Sequence, residues 1–263
     1  MTDSVNQAAV VIGASGGIGA ALVSQLEASG RYAVVHALSR SGTGFDLEDE
    51  ASIAAAAARV AEGPIPALVF VATGVLHYGF EPERSWRALD AEHLLRDYRI
   101  NAVGPALVAK HFLPLLPRDR PAVFTALSAR VGSIGDNRLG GWHRYRASKA
   151  ALNMLLRNLA VELGRTHPQA VVAGLHPGTV DTGLSAPFQK GVKPEKLFTA
   201  AYSAERLLSV IAGLTPADSG GVFAWDGARI PESPTPDRRV LTRSHSMSHT
   251  LCVTHYVRCR EAA

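Results

Sequence analysis

Short apolar runs separated by longer alanine- and leucine-rich stretches constrain this chain more than any other feature. The runs are AAVVIG (8–13), YAVVHALS (32–39), ALVFVA (67–72), AVFTALS (122–128), AVVAGLH (170–176) and GVFAWD (221–226). They have the length and β-branched content of strands, and they lack the polar–apolar alternation of a sheet with one wet face. The segments between them, 20–29, 51–62, 101–116, 147–165 and 201–214, have helical length. Strands apolar on both faces and alternating with helices predict an α/β chain. The expected architecture is a doubly wound parallel sheet with helices on both faces, a single domain spanning residues 1–231.

Residues 232–263 break the pattern with proline, serine, scattered histidine and arginine and no sustained period. A disordered C-terminal tail is expected there. Both cysteines, Cys252 and Cys259, lie in it, so the body of the chain has no disulfide framework, and a reducing, cytoplasmic setting is the simplest expectation. The histidines and cysteines of the tail match no recognised zinc spacing, and no metal is expected. Half of the formal charge of +4 falls after Pro231, too little to argue for nucleic acid. The N-terminus lacks the order of a signal peptide and the apolar runs are too short to span a bilayer, so no membrane is expected.

The first strand runs directly into GASGGIG, with Gly13, Gly17 and Gly19 in a GxxxGxG pattern and Ser15 and Ile18 between them. Glycines at a strand–helix junction permit a tight turn and close backbone approach, and the helix N-terminus offers unpaired N–H groups to a pyrophosphate. By itself such a turn is as readily structural as functional; its position after the first strand of a βαβ series favours a dinucleotide. The second strand then ends ALSRSG, with Arg40 where an NAD site would carry a carboxylate. A cation there suits a 2′-phosphate, with Ser15 and Ser39 as further donors, so NADP(H) is preferred over NAD(H). The plain alternative for Arg40 is a solvated surface residue. Asp46, in FDLED, is placed in a loop after a further short strand, where it would reach the adenine amino group, or else it merely caps a helix.

Tyr145 and Lys149, in WHRYRASKAAL, stand four residues apart at the start of a helix and share one face. The plain reading is a core tyrosine beside a solvated lysine. The chemical reading is a phenol with a nearby cation. A free phenol has a pKa near 10, and the ammonium favours its phenolate. With GxxxGxG, an Asn-led helix at Asn101 and HPGTVDT following in order, the chain resembles the short-chain dehydrogenase/reductase family from about Val10 to Pro231. GSIGDNRLGGWHRYRASKAALN and SGGVFAWDGARIP are similar to its C-factor-like branch, which also contains sniffer-type carbonyl reductases.

The resemblance implies a Rossmann-type sheet and hydride transfer between a nicotinamide and a carbonyl or alcohol. It makes Tyr145 the acid/base and places Lys149 also on the nicotinamide ribose. Asn101 would hold a water that relays protons from Lys149; its plain alternative is a helix N-cap. Gly74 would lie close to the cofactor, and Pro177, Gly178, Val180 and Thr182 would cover the nicotinamide carboxamide. The chain departs from the family twice. Where Asn-Asn-Ala-Gly is usual it reads VATG (71–74), keeping only Gly74. Where two serines are followed by two residues and glycine it reads LSARVG, so aligning on Gly132 puts Ala129 in the place of the catalytic serine. Ser128 is one residue early on a strand and points to the other face. Ser133, or else Ser128, is the candidate replacement.

Two functions follow. One is an NADPH-dependent reductase acting on a small carbonyl or alcohol substrate. The other is a catalytically weak NADP-binding signalling protein of C-factor type, suggested by Ala129. Residues 183–198 form a candidate lid, or a plain surface loop, and the helices from 101 and 147 are apolar enough for a homodimer face.

Overall fold

Each of the six apolar runs forms a strand, and the six pair in parallel. In the structure, a computed structural model describing residues 6–77 and 79–232, the strands are β1 (Gln7–Ile12), β2 (Val34–Leu38), β3 (Ile65–Val71), β4 (Ala122–Leu127), β5 (Ala170–His176) and β8 (Val222–Ala224). Their order in the six-stranded sheet is β2-β1-β3-β4-β5-β8. A separate two-stranded sheet pairs β6 (Thr179–Val180) with β7 (Leu197–Phe198). The assignment of a disordered tail to residues 232–263 lies, beyond Glu232, outside the described residues.

The sheet is apolar on both sides because helices cover both sides. Val10, Ile12, Val69, Val71, Phe124 and Val172 point one way, into a core shared with α3 (Glu50–Ala61), α5 (Gly104–Phe112) and α6 (His143–Leu163). Their neighbours Ala9, Val11, Leu68, Phe70, Val171 and Ala173 point the other way, against α1 (Gly17–Ala28) and α7 (Ala200–Gly213). The period-two alternation of side chains thus serves two cores, each made of buried aliphatic and phenyl groups.

Three features differ from the sequence expectation. The further short strand expected before Asp46 does not form: after β2 the chain makes the short helix α2 (Arg40–Thr43) and then an irregular segment anchored by buried Phe45 and Leu47. A further helix, α4 (Ala91–Tyr98), leads through a π-helical turn (Arg99–Val103) into α5. Asn101 therefore sits in the middle of a bulged helix and is not an N-cap; the π turn turns its side chain inward.

From β1 the chain moves outward to β2 and returns on the far side of β1 as β3. The strand order reverses there, and the crevice beyond the carboxyl ends of β1 and β3 is where ligands bind in such sheets. The glycine-rich turn leaves β1, and VATG ends β3, at this crevice. Among the described residues no helix is long and apolar enough to cross a membrane.

Candidate active site

The turn after β1 is shaped by backbone contacts that exclude side chains. Gly13 has φ +87°, a left-handed conformation that favours glycine, and its N–H and that of Ala14 both donate to the Leu38 carbonyl at 2.8 and 3.1 Å. A Cβ on Gly19 would stand 2.1 Å from the Gly13 carbonyl oxygen, so the helix can approach the turn only with glycine there. Helix α1 starts at Gly17 with Gly16 as N-cap, no side chain capping it and no acidic residue in its first turn. Its leading N–H groups, over Gly17, Ile18 and Gly19, thus face the crevice with positive potential and no competing carboxylate. Ser15 is exposed on the turn.

The HPGTVDT loop packs onto this turn. A Cβ on Gly17 would meet the Thr182 methyl at 2.9 Å, and Gly178, at φ +80°, leaves no room for a side chain against Phe198. Pro177 is held by its carbonyl, which accepts from Ser203 Oγ at 3.0 Å, and Val180 is buried in β6. Two polar atoms at strand ends are buried without a hydrogen-bond partner: Thr73 Oγ1 after β3 and His176 Nδ1 at the end of β5. The Thr73 hydroxyl, on a residue packed against Gly13 beside an uncapped helix N-terminus, and the His176 nitrogen at the end of β5 fit a polar dinucleotide laid along the strand ends. Burial is the main force holding His176 neutral, with its pKa pulled down to about 4. Beside the turn, Ser39 Oγ accepts the Gly42 N–H as the N-cap of α2, and Arg40 is exposed. Asp46 Oδ1 accepts the Glu48 N–H at 3.0 Å, which is a local cap.

Tyr145 and Lys149 lie on the inner face of α6, only 9% and 2% exposed. Lys149 Nζ donates to the Leu127 carbonyl at the end of β4, at 2.8 Å, and stands 5.9 Å from the Tyr145 ring centroid. Burial lowers the Lys149 pKa to about 8, opposed by the Asp97 carboxylate. Burial also raises the Tyr145 pKa, and Asp97 raises it further. The spacing of Tyr145 and Lys149 predicts a phenol eased toward phenolate; here loss of hydration shifts the phenol the other way, toward its protonated form. Asn101 accepts the Val75 N–H at 2.8 Å and donates Nδ2 to the Val75 carbonyl and to Ser148 Oγ at 2.9 and 3.1 Å. A Cβ on Gly74 would lie 3.4 Å from both Asn101 Oδ1 and Lys149 Nζ, so these three converge around a space that glycine leaves open.

The two serines weighed as replacements are both engaged elsewhere. Ser128 Oγ donates to Asn153 Oδ1 at 2.6 Å, and Ser133 Oγ donates to the Pro231 carbonyl and accepts the Asp136 N–H. Ala129 takes the position beside the phenol, buried in an apolar cluster with Leu76 and Tyr145. Val131, Trp142, Leu184 and Phe188 pack on that cluster. Trp142 and Phe188 meet with ring centroids 5.3 Å apart, and His77, bonded to the Gly183 carbonyl at 3.0 Å, packs on Phe188. Residues of the candidate lid thus rest over the tyrosine.

Sequence reasoning missed a buried ionic cluster under this wall. Arg144 Nε donates to Asp97 Oδ2 at 3.1 Å, and its Nη1 lies 3.6 Å from Glu83 Oε1. All three side chains are buried. Asp97, surrounded by low-dielectric protein, has its pKa pushed up to about 6 by burial despite Arg144. The only sequence signal was a charged residue next to Tyr145, and helix surfaces carry many of those. Among the described residues no group of three or more His, Cys, Asp or Glu is placed to hold a metal; the tail histidines and cysteines lie outside them.

Comparison with known proteins bears on the family and the fold. The family model described as short chain dehydrogenase matches residues 7–193. The chain is 35% identical over 150 residues to the C-signal of Myxococcus xanthus, covering 56% of this chain and 84% of that protein. It is 33% identical over 185 residues to 1-hydroxy-2-glutathionyl-2-methyl-3-butene dehydrogenase of Rhodococcus sp. strain AD45, covering 70% and 76%. Other curated relatives, yeast oxidoreductases, are matched over less than two thirds of their own length. Among solved structures, the NADPH-bound carbonyl reductase from chicken fatty liver superposes with TM-score 0.72 at 25% identity, covering 86% of this chain and 94% of that one. A parallel doubly wound sheet, a glycine turn at its switch point and a buried Tyr-Lys pair, matched by that family model over most of the chain, make this protein a member of the short-chain dehydrogenase/reductase family.

Proposed function

We propose that the protein is an NADP(H)-dependent carbonyl reductase, or the reverse alcohol dehydrogenase, acting in the cytoplasm on a small carbonyl or alcohol. The observation that carries this reading is the buried pair of Tyr145 and Lys149 on one face of α6, at the end of a sheet whose first turn is an uncapped glycine turn. The nicotinamide, when bound, supplies the hydride. Tyr145 donates its phenolic proton to the carbonyl oxygen of the substrate as the general acid of the step. Lys149 turns from the Leu127 carbonyl to the ribose hydroxyls and steadies the developing phenolate. Asn101 holds the Gly74–Val75 segment open beside Lys149, leaving room for the water through which Tyr145 regains its proton. Gly13, Ser15, Gly17, Ile18 and Gly19 hold the pyrophosphate, Arg40 the 2′-phosphate, and Pro177, Gly178, Val180 and Thr182 the carboxamide; Asp46 borders the adenine.

Ala129 supports a second reading, an NADP-binding protein of weak turnover with a signalling role. The two are separated by NADPH oxidation against a panel of ketones and aldehydes. The reductase reading expects turnover in the wild type, a loss of about a hundredfold or more in Tyr145→Phe and NADPH binding retained in both. Tight NADPH binding with no turnover of any carbonyl sinks it and leaves the second reading. In the same assay Arg40→Ala should weaken NADPH binding far more than NADH binding; equal losses overturn the 2′-phosphate assignment.

A further inference from the structure

Arg144 is a buried cation in the first turn of α6, where the helix dipole disfavours it. Its cost is met by contacts that converge on one stretch of chain. Besides Asp97 and Glu83, its Nη1 donates to the Glu81 carbonyl at 3.1 Å, and its Nη2 donates to the Leu76 and Phe80 carbonyls at 3.3 and 2.8 Å. Glu83 returns the tie: Oε2 accepts the Arg144 N–H at 3.4 Å, and its backbone carbonyl accepts the Trp142 N–H at 2.6 Å. Helix α6 has no capping side chain of its own, so Glu83 caps it from outside. Trp142 is also the one non-glycine described residue with positive φ, +49°, and it follows Gly140 and Gly141 at +62° and +64°. A tryptophan in that conformation is strained, and it persists only where its surroundings hold it.

Leu76 and Trp142 are apolar neighbours of Tyr145, Leu76 in its buried cluster and Trp142 with its ring centroid 6.5 Å away. Both are fixed through their backbones, Leu76 by Arg144 and Trp142 by Glu83, while Arg144 precedes Tyr145 in the chain. We propose that Arg144, with Glu83 and Asp97, is the positioning unit of this site: it sets both apolar neighbours and the proton donor in one frame, an orienting task left open where Ala129 replaces a serine. Arg144 touches neither substrate nor cofactor and acts through Leu76, Trp142 and Tyr145. This rests on the reductase reading only for its kinetic consequence.

Arg144→Met, which keeps length and apolar contacts, tests it by two measurements. Amide hydrogen exchange should rise about tenfold or more in peptides over 79–84 and 140–146, and stay unchanged over 7–28. This readout does not depend on any turnover, so it separates failure of the positioning proposal from failure of the reductase reading. In steady state, KM for the carbonyl should rise and kcat fall, each by about tenfold, with the NADPH dissociation constant within about twofold of wild type. Arg144→Lys keeps the charge but not the fork and should recover part of the exchange protection. Unchanged exchange over 79–84 overturns the proposal, and so does exchange or NADPH affinity failing across the whole chain, which marks a general structural role. If Arg144→Met does not fold, the same measurements on Arg144→Lys and Glu83→Gln decide: local loosening at 79–84 and 140–146 supports it, and wild-type protection overturns it.

Discussion

At position 129 a methyl group shares the buried cluster of Tyr145 where the family resemblance leads one to expect a serine, and the neighbouring Ser128 and Ser133 are bonded to Asn153 and Pro231. Ala129→Ser should therefore raise kcat/KM by about tenfold to a hundredfold, the range that one positioned oxygen-binding donor supplies. NADPH affinity should not change. An unaltered rate would show that the substrate oxygen does not lie beside residue 129. Asp97 gives a second prediction at this scale. Its negative charge raises the pKa of both Lys149 and Tyr145. Removing the charge must lower both, so Asp97→Asn should move the alkaline limb of the kcat/KM profile, set by Lys149 near 8, to lower pH. A limb that stays or moves upward refutes the coupling. Of these residues, Tyr145, Lys149 and Ala129 were legible in the sequence because their spacing and alignment define them. Asp97, Glu83 and Arg144 were not, because burial and pairing of charges are tertiary facts.

At the scale of elements, the six strands of the main sheet and the five helices α1, α3, α5, α6 and α7 follow from apolar runs and helical periodicity, and α6 starts four residues earlier than its alanine-rich stretch suggested. Helix α4 was missed because AEHLLRDY is short and its leucines are adjacent. The join of α4 to α5 through a π turn was beyond sequence reasoning too, and it decides that Asn101 holds Val75 instead of capping a helix. The glycine turn is the element whose sequence most nearly dictates its shape. Gly19→Ala would drive a Cβ into Gly13 backbone at 2.1 Å from its oxygen and 2.8 Å from its carbonyl carbon, and backbone cannot yield there. NADPH binding should be lost, with thermal unfolding showing a cost of about 1–3 kcal/mol. Gly213→Ala, where a Cβ meets nothing within 4 Å, is the matched control and should leave both unchanged. If Gly19→Ala binds NADPH normally, the close approach of α1 to the turn is not what forms the site.

Across the whole molecule, the sheet keeps two cores apart and both are needed. Phe124 in the middle of β4 is fully buried in the core shared with α3, α5 and α6. Phe124→Ala should cost about 3–5 kcal/mol in urea unfolding, as a phenyl-sized cavity in a close-packed interior does; a loss under about 1 kcal/mol would mean that this core collapses freely. Sequence alone determined the fold class, the parallel pairing and the place of the glycine turn, because strand-length runs apolar on both faces alternate with helical stretches all along the chain. It also placed Tyr145 and Lys149 on one helical face. The tertiary structure alone decided that burial shifts the phenol toward its protonated form and that both neighbouring serines are occupied. It also brought a buried arginine from α6 to tie Leu76 and the Glu83 that holds Trp142. Those outcomes depend on which groups lose water together, and residues distant in sequence meet only when the chain has folded.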